Sequence, residues 1–308
     1  MLYRNLSSYL REKYGKRLDK ICIDAGFTCP NRDGKCGTGG CVYCGERGAG
    51  EHIDHTLSIR EQVNNRLKNS KTNDIFVAYF QNFTNTYAPI NILRERYDAA
   101  LIDDRIKVLA IGTRPDCIDE EVCRLLSEYA KTREVWVELG LQTANDETAA
   151  IINRGYKTEA FERAMELLTK YSLKVVVHIL LGLPGESVDD MKKTADYVAS
   201  FPIFGLKIHS IYVMKNTELE RLYLEKRYTP PSFDDFCEAA AYAVARTPES
   251  VVIHRLAANC PKGMLVAPEW NSDKTVVIDG IIRKMRERGY KQGSLSGIKK
   301  KERKGFLP

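Results

Sequence analysis

CPNRDGKCGTGGCVYC, residues 29–44, follows directly on a short apolar run at 21–24 and gathers Cys29, Cys36, Cys41 and Cys44 into one loop with four glycines. The Cys41-x2-Cys44 pair can turn both thiolates toward one metal centre, and Gly34, Gly37, Gly39 and Gly40 free the backbone to fold the distant Cys29 inward. Spacing alone leaves three readings open. Four thiolates would close a tetrahedral structural zinc site. Three, without Cys36, would hold three irons of a [4Fe-4S] cluster and leave the fourth iron open. With no metal, Cys36 is an exposed loop thiol and Cys22 a small core residue on the preceding strand.

Outward from this loop, apolar runs alternate with amphipathic stretches. Strand patterns fall at 21–24, 75–80, 106–111, 135–141, 174–181 and 206–213, with helical patterns at 58–67, 90–101, 120–131, 159–171 and 188–201 between them. Strands separated by helices imply right-handed crossovers and a parallel sheet buried on both faces. Six units are too few to close an eight-stranded barrel, so the expected fold is α/β, a partial (β/α)6 TIM-type barrel or an open doubly wound sheet. Both put chemistry at the carboxyl ends of the strands, where the cysteine loop falls. After residue 215 the rhythm changes to a helix at 233–245, a short strand at 251–256 and a basic helix at 274–288, an α+β extension packed on the barrel. The expected organisation is a basic segment at 1–20, the barrel at 21–215, the extension at 216–290 and a basic, flexible tail at 291–308.

The 308 residues carry 47 Lys+Arg against 41 Asp+Glu, a formal charge of +6, and nine cysteines. Residues 281–304 hold ten basic and two acidic side chains and residues 1–20 six and two, which leaves 21–280 at −6. The positive charge therefore sits at the two ends, as a solvated face or as a footprint for nucleic-acid phosphates. No run reaches the ~18 apolar residues of a membrane span, and the N-terminus has no secretory pattern. A cytoplasmic protein with reduced thiols is expected, its cysteines serving as ligands or core fillers. Cys117, Cys123, Cys237 and Cys260 lack tight mutual spacing and read as core.

The motifs ICIDAGFTCPNRDG (21–34), GGCVYC (39–44), YFQNFTNTYAP (79–89), VELGLQT (137–143), HILLGLPGES (178–187) and IHSIYVMKNTELERLY (208–223) together resemble the Elongator-like radical S-adenosylmethionine (SAM) family. That family includes bacterial proteins among which is a tRNA wobble-uridine modifying enzyme. The resemblance covers roughly residues 1–290. The superfamily's usual Cys-x3-Cys-x2-Cys is lengthened here to Cys-x11-Cys-x2-Cys, as in the Elongator catalytic subunit.

The resemblance implies a radical SAM partial barrel in which Cys29, Cys41 and Cys44 hold a [4Fe-4S] cluster whose open iron chelates S-adenosyl-L-methionine. An electron donor such as flavodoxin or ferredoxin would supply the electron that releases a 5′-deoxyadenosyl radical. Tyr79, Phe80 and Gln81 stand where many relatives have Gly-Gly-Glu, and would meet the cofactor amine. Glu138 and Gln142 would bind its ribose or amine, and Arg154 its carboxylate, unless Glu138 and Arg154 simply pair with each other. His178 would be a cofactor contact or a satisfied core histidine. Gly182 lets backbone approach the adenosine, Tyr212 and Val213 would touch adenine, and Tyr43 would stack on it or cover the cluster. Thr84, Asn85, Thr86 and Tyr87, polar and unsuited to a core, would face the substrate.

The most specific function implied is conversion of the carboxymethylaminomethyl group of tRNA wobble uridine to aminomethyl, by hydrogen abstraction and C–N cleavage, with the basic ends on the tRNA. Nothing after residue 290 reads as an acetyltransferase domain, and nothing ahead of the barrel as the Cys-rich domain of a methylthiotransferase. Two alternatives remain: radical chemistry on a small molecule or protein, and a zinc-stabilised nucleic-acid-binding protein without catalysis.

Overall fold

The computed structural model describes residues 2–48, 50, 53–71, 74–258 and 260–297. Helix α1 (Leu6–Tyr14) precedes strand β1 (Leu18–Ile23), and the sheet continues through β2 (Ile75–Phe80), β3 (Ile106–Thr113), β4 (Glu134–Gln142), β5 (Lys174–Leu181) and β6 (Gly205–Ser210). Between successive strands run α2 (Ile59–Lys68), α3 (Ile90–Ala100), α4 (Glu120–Ala130), α5 (Asp146–Ile151), α6 (Thr158–Lys170) and α7 (Val188–Val198). Their starts follow local chemistry: Ser58 and Glu61 form a reciprocal capping box, and Asp119 caps α4. Among the described residues no helix is long and apolar enough to cross a membrane.

The sheet is parallel throughout and curls into a half-barrel. Its seventh strand comes from the extension. After a two-residue strand β7 (Val213–Met214), α8 (Glu218–Leu224) and α9 (Phe233–Arg246), strand β8 (Val252–Arg255) docks beside β6. Strand β9 (Leu265–Ala267) then pairs antiparallel with β7, and α10 (Lys274–Glu287) packs against α9. The strand expected at 206–213 is thus two: the chain leaves the sheet at Ser210, whose hydroxyl donates to Asn271 Oδ1 at 2.6 Å, and Val213 joins the side ribbon.

Alternation along the strands sorts two cores. Outward residues such as Phe80, Leu109, Val137 and Ile179 pack under the helices with Tyr97, Leu126 and Phe161. Inward residues Leu18, Val77, Val108, Trp136, Val176 and Val252 form an apolar floor to the barrel, sealed from below by Tyr9 and Leu10 of α1. Beneath that floor the Glu134 carboxylate collects Tyr9 Oη at 2.6 Å, Lys13 Nζ at 2.5 Å, Tyr14 Oη at 2.7 Å, Lys174 Nζ at 2.5 Å and Trp136 Nε1 at 2.9 Å. The N-terminal basic segment is therefore structural over much of its length, and its last three residues lie inside β1. The chain beyond α10 returns to it. The Gln292 amide donates to the Leu2 carbonyl at 2.9 Å while its side chain accepts from the Arg4 amide at 2.7 Å and donates to the Pro248 and Val251 carbonyls. Of the tail, 298–308 with Lys299, Lys300, Lys301, Arg303 and Lys304 lie outside the described residues.

Candidate active site

The loop leaving β1 crosses the carboxyl ends of the strands and is held by its own backbone and by the β4–α6 connection. The Cys29 carbonyl accepts from the amides of Arg32 and Asp33, the Cys36 amide donates to Pro30, and the Cys44 amide closes a turn on Cys41 at 2.9 Å. Buried Asn31 donates from Nδ2 to the Asn153 carbonyl at 2.5 Å and to Cys41 Sγ at 3.8 Å. A Cβ at Gly37 or Gly155 would come within 2.5 or 2.8 Å of Asn31 Oδ1, so two glycines are required for that close approach.

The thiols of Cys41 and Cys44 hydrogen-bond each other, and Cys29 lies within electrostatic reach of Cys44. That bond from Cys44 does most to bring the Cys41 thiol down to about 7, against its burial, with help from Tyr43, Arg114 and Asn31. Cys36 is exposed instead, its sulfur 3.8 Å from Asp116 Oδ2. Among the described residues, no group of three or more His, Cys, Asp or Glu converges as it stands on a metal ion. The donor chemistry nevertheless suits iron, because thiolates are soft ligands and a cubane takes one cysteine per iron rather than three on a single ion.

Below the loop, the inward face of the strands is polar. Glu138, 1% exposed, accepts from His178 Nε2 at 3.0 Å and is ion-paired with Lys207, itself 2% exposed at the side chain. Burial pushes the Glu138 carboxyl up, but Lys207 and His178 outweigh it and hold the group well below the carboxylate range. Burial likewise brings Lys207 down to about 7 and His178 to about 4, so His178 is neutral at pH 7 and serves Glu138 as an N–H donor. His178 stacks on His209 at 5.2 Å between ring centres. The Tyr79 ring lies between two ammonium groups, Lys207 at 4.5 Å and Lys20 at 5.4 Å from its centre.

Other expected residues are placed differently. Arg154, 1% exposed, pairs with neither Glu138 nor open space: Nη1 donates to the Leu141 and Thr143 carbonyls at 2.8 and 2.6 Å, Nε to Tyr156 at 3.0 Å, and Nη2 to Asp146 at 3.1 Å. Its fork is spent on orphan carbonyls at the end of β4. Thr84, Asn85 and Thr86 are buried, contrary to the expectation of an open polar mouth. Asn85 Nδ2 holds the Phe80, Asn82 and Gly112 carbonyls at 3.1, 2.9 and 2.7 Å, and Thr86 bonds Thr113 and Cys117. These side chains satisfy a buried loop backbone that has no sheet partner. Tyr87 alone of the four is partly open. Phe80 points away from the lumen into the helix layer, edge-on to Tyr97 at 5.2 Å. Val213 is fully buried with Val42, Ile211 and Ala267, and Gly182, at φ +95, abuts Pro231 while its carbonyl accepts from Tyr228 Oη at 2.7 Å.

Gln142 keeps a ligand-like character. It sits at φ +70 beside a register shift between β4 and β5, and its Oε1 is buried without a partner. Buried Thr84 Oγ1 is likewise unbonded. Gln81 and Tyr212 are partly open at the carboxyl ends of β2 and β6, and Tyr43 is partly buried over the Val42 cluster. Sequence reasoning missed Lys20, Lys207, His209, His254 and Arg255. The available signal was clearest in β6, where Lys207 and His209 alternate with apolar residues; Lys20, His254 and Arg255 stand in short strands without such a pattern.

An α/β half-barrel whose first strand feeds such a cysteine loop defines the class of radical SAM enzymes. The chain belongs to the Radical SAM superfamily, whose model matches residues 32–198, starting just past Cys29 and taking in Cys41 and Cys44; residues 203–287 match the Radical_SAM C-terminal domain. The uncharacterized protein YtqA of Bacillus subtilis is 34% identical over 295 residues, 94% of this chain and 92% of its own length. The tRNA uridine(34) acetyltransferase of Methanocaldococcus jannaschii is 30% identical over 201 residues, 64% of this chain and 34% of that protein. Among solved structures, archaeal Elp3 from Methanocaldococcus infernus superposes with a TM-score of 0.64 at 21% identity over 76% of this chain and 59% of its own, a likeness of fold.

Proposed function

We propose that the protein modifies the C5 side chain of wobble uridine in tRNA, converting carboxymethylaminomethyl to aminomethyl. The observation that carries this reading is the 30% identity to an enzyme whose name places its action at tRNA uridine 34. The spatial meeting of the two basic ends through Gln292 supports it, because phosphate contacts supply most of the affinity for RNA. Cys29, Cys41 and Cys44 would hold the [4Fe-4S] cluster, and Gln142, Tyr43, Gln81 and Tyr212 line the side from which SAM would be met. When bound, cluster and SAM supply a carbon radical able to abstract hydrogen from an unactivated position.

The chain's own contribution is positional. Asn31 and its glycine neighbours fix the loop, Arg154 locks the end of β4, and the apolar floor keeps bulk water from the barrel. Nucleoside mass spectrometry of tRNA from a deletion strain tests the assignment. Carboxymethylaminomethyluridine should accumulate and aminomethyluridine fall, and unchanged wobble nucleosides would sink the reading. Protein prepared without oxygen should be brown, carry about four irons, and form 5′-deoxyadenosine on reduction with SAM.

A further inference from the structure

The barrel interior holds more positive charge than its own carboxylate can balance. Lys207 is committed to Glu138. Lys20 shares the inward face of β1 with Leu18 and Cys22, and Arg255 is brought beside Lys207 by a register shift between β6 and β8. Among the described residues neither Lys20 nor Arg255 has a carboxylate within ion-pair distance, and the Lys20 ammonium lies over the Tyr79 ring. The charges sense each other: burial first lowers Lys20, Lys207 and His209, Arg255 lowers Lys20 and His209 further, Lys20 and then Arg255 lower Lys207, and Lys274 is lowered by its burial and then by Arg255 and Lys20. Unpaired like charges gathered in a half-buried lumen are unfavourable unless a counter-charge arrives. Around them, His209 Nε2 and both ring nitrogens of His254 are buried without hydrogen-bond partners. Those nitrogens are open positions for a polar ligand.

Resting on the tRNA reading above, we propose that Lys20 and Arg255 form a recognition site for a carboxylate carried on the substrate, so that the acidic side chain of the modified base enters the lumen end-on. The Lys20 and Arg255 side chains both face the inside of the barrel, beyond the strand ends, which favours the protruding side chain of a base over the backbone phosphates. Arg255 offers the planar fork that matches a carboxylate, and Lys20 a second donor across from it. The apolar floor at Val77, Trp136 and Val252 stops the group from passing deeper. Lys20 and Arg255 are specificity-determining, and selection of the acid over neutral analogues follows from them.

The test compares two anticodon stem-loop RNAs, one carrying carboxymethylaminomethyluridine and one with that carboxylate capped as the amide, turned over by reconstituted holoenzyme. Wild-type protein should prefer the acid in kcat/KM by roughly 10- to 100-fold, the span of a charged hydrogen-bonded contact. Lys20→Gln with Arg255→Gln should bring the ratio to near unity, and Lys20→Arg with Arg255→Lys should restore part of it. Retention of the wild-type ratio in the Gln variant overturns the proposal, as does a rise in the KM for SAM with the ratio intact. If wild-type protein processes neither RNA, the tRNA reading fails by itself and the lumen is read directly. Trp136 lies edge-on to His254 at 4.9 Å and reports on it through its emission. N-ethylglycinate should then change the emission of the holoprotein saturably, with N-ethylglycinamide and the Gln variant silent. No response to the carboxylate, or equal response to the amide, overturns the proposal on its own.

Discussion

Replacing Lys207 by methionine removes the ammonium in direct contact with the Glu138 carboxylate, and leaves that buried group to His178, Tyr79 and the more distant charge of Lys20. The expected loss is about 3–5 kcal/mol in urea unfolding, and the added change Glu138→Leu should recover most of it, because the penalty lies in the stranded charge. Cys41→Ser should abolish most iron incorporation while Cys36→Ser leaves it at about four per chain. Equal loss of iron from both would instead make Cys36 a fourth ligand and leave no open iron, and zinc in place of iron in the unaltered protein would favour the four-thiolate zinc arrangement. The candidate ligand cysteines were legible as a set because Cys-x2-Cys in a glycine-rich loop marks a metal-binding pattern, but it took the family resemblance, not the spacing, to choose iron-sulfur over zinc. The fate of Arg154 was not, since its partners are backbone carbonyls, which leave no mark in a sequence. Asn85 and Thr86 misled for a related reason: polar side chains read as exposed, yet buried loop backbone needs them as donors.

Helix α1 carries its own pH signature. Burial opposes ionisation of Glu134, whose side chain is 3% exposed, but Lys13, Lys174, Tyr9 and Trp136 overcome it and hold the carboxyl at about 2 rather than 4.5. A depressed carboxyl stabilises the fold above its unfolded value, and that stability drains away as pH falls from about 4.5 through about 2, a total of about 3 kcal/mol. Glu134→Gln should therefore lower the melting temperature at pH 7 and flatten the acid limb of a melting-temperature profile. An unaltered limb would show that α1 does not seal the barrel through this carboxylate. The six strand–helix units were legible because parallel strands covered on both faces appear as continuous apolar runs. The strand at 251–256 was legible but its place was not: β8 rejoins the main sheet after a long helical excursion, and β6 seemed to run on to residue 213 because Ile211 and Val213 are apolar for a different core.

For the molecule as a whole, the basic ends are the part of the RNA reading that can be tested by truncation. Deleting residues 298–308 removes Lys299, Lys300, Lys301, Arg303 and Lys304 but spares the Gln292 clamp. Binding of tRNA should weaken, and the slope of log affinity against log salt should fall by about one for each phosphate that is no longer neutralised. An unchanged slope would assign those side chains to solvent. Cutting before Gln292 should instead lower thermal stability, since Leu2, Arg4, Pro248 and Val251 would be deprived of a shared partner. The same clamp sets an order of events during synthesis. Asn5 bridges to Ile253, and Leu2 is bonded by Gln292, so residues 2–5 keep waiting for partners until the chain has been made as far as residue 292. Before β8 itself is made, the nascent half-barrel lacks its outermost strand and the interior stays accessible from that side.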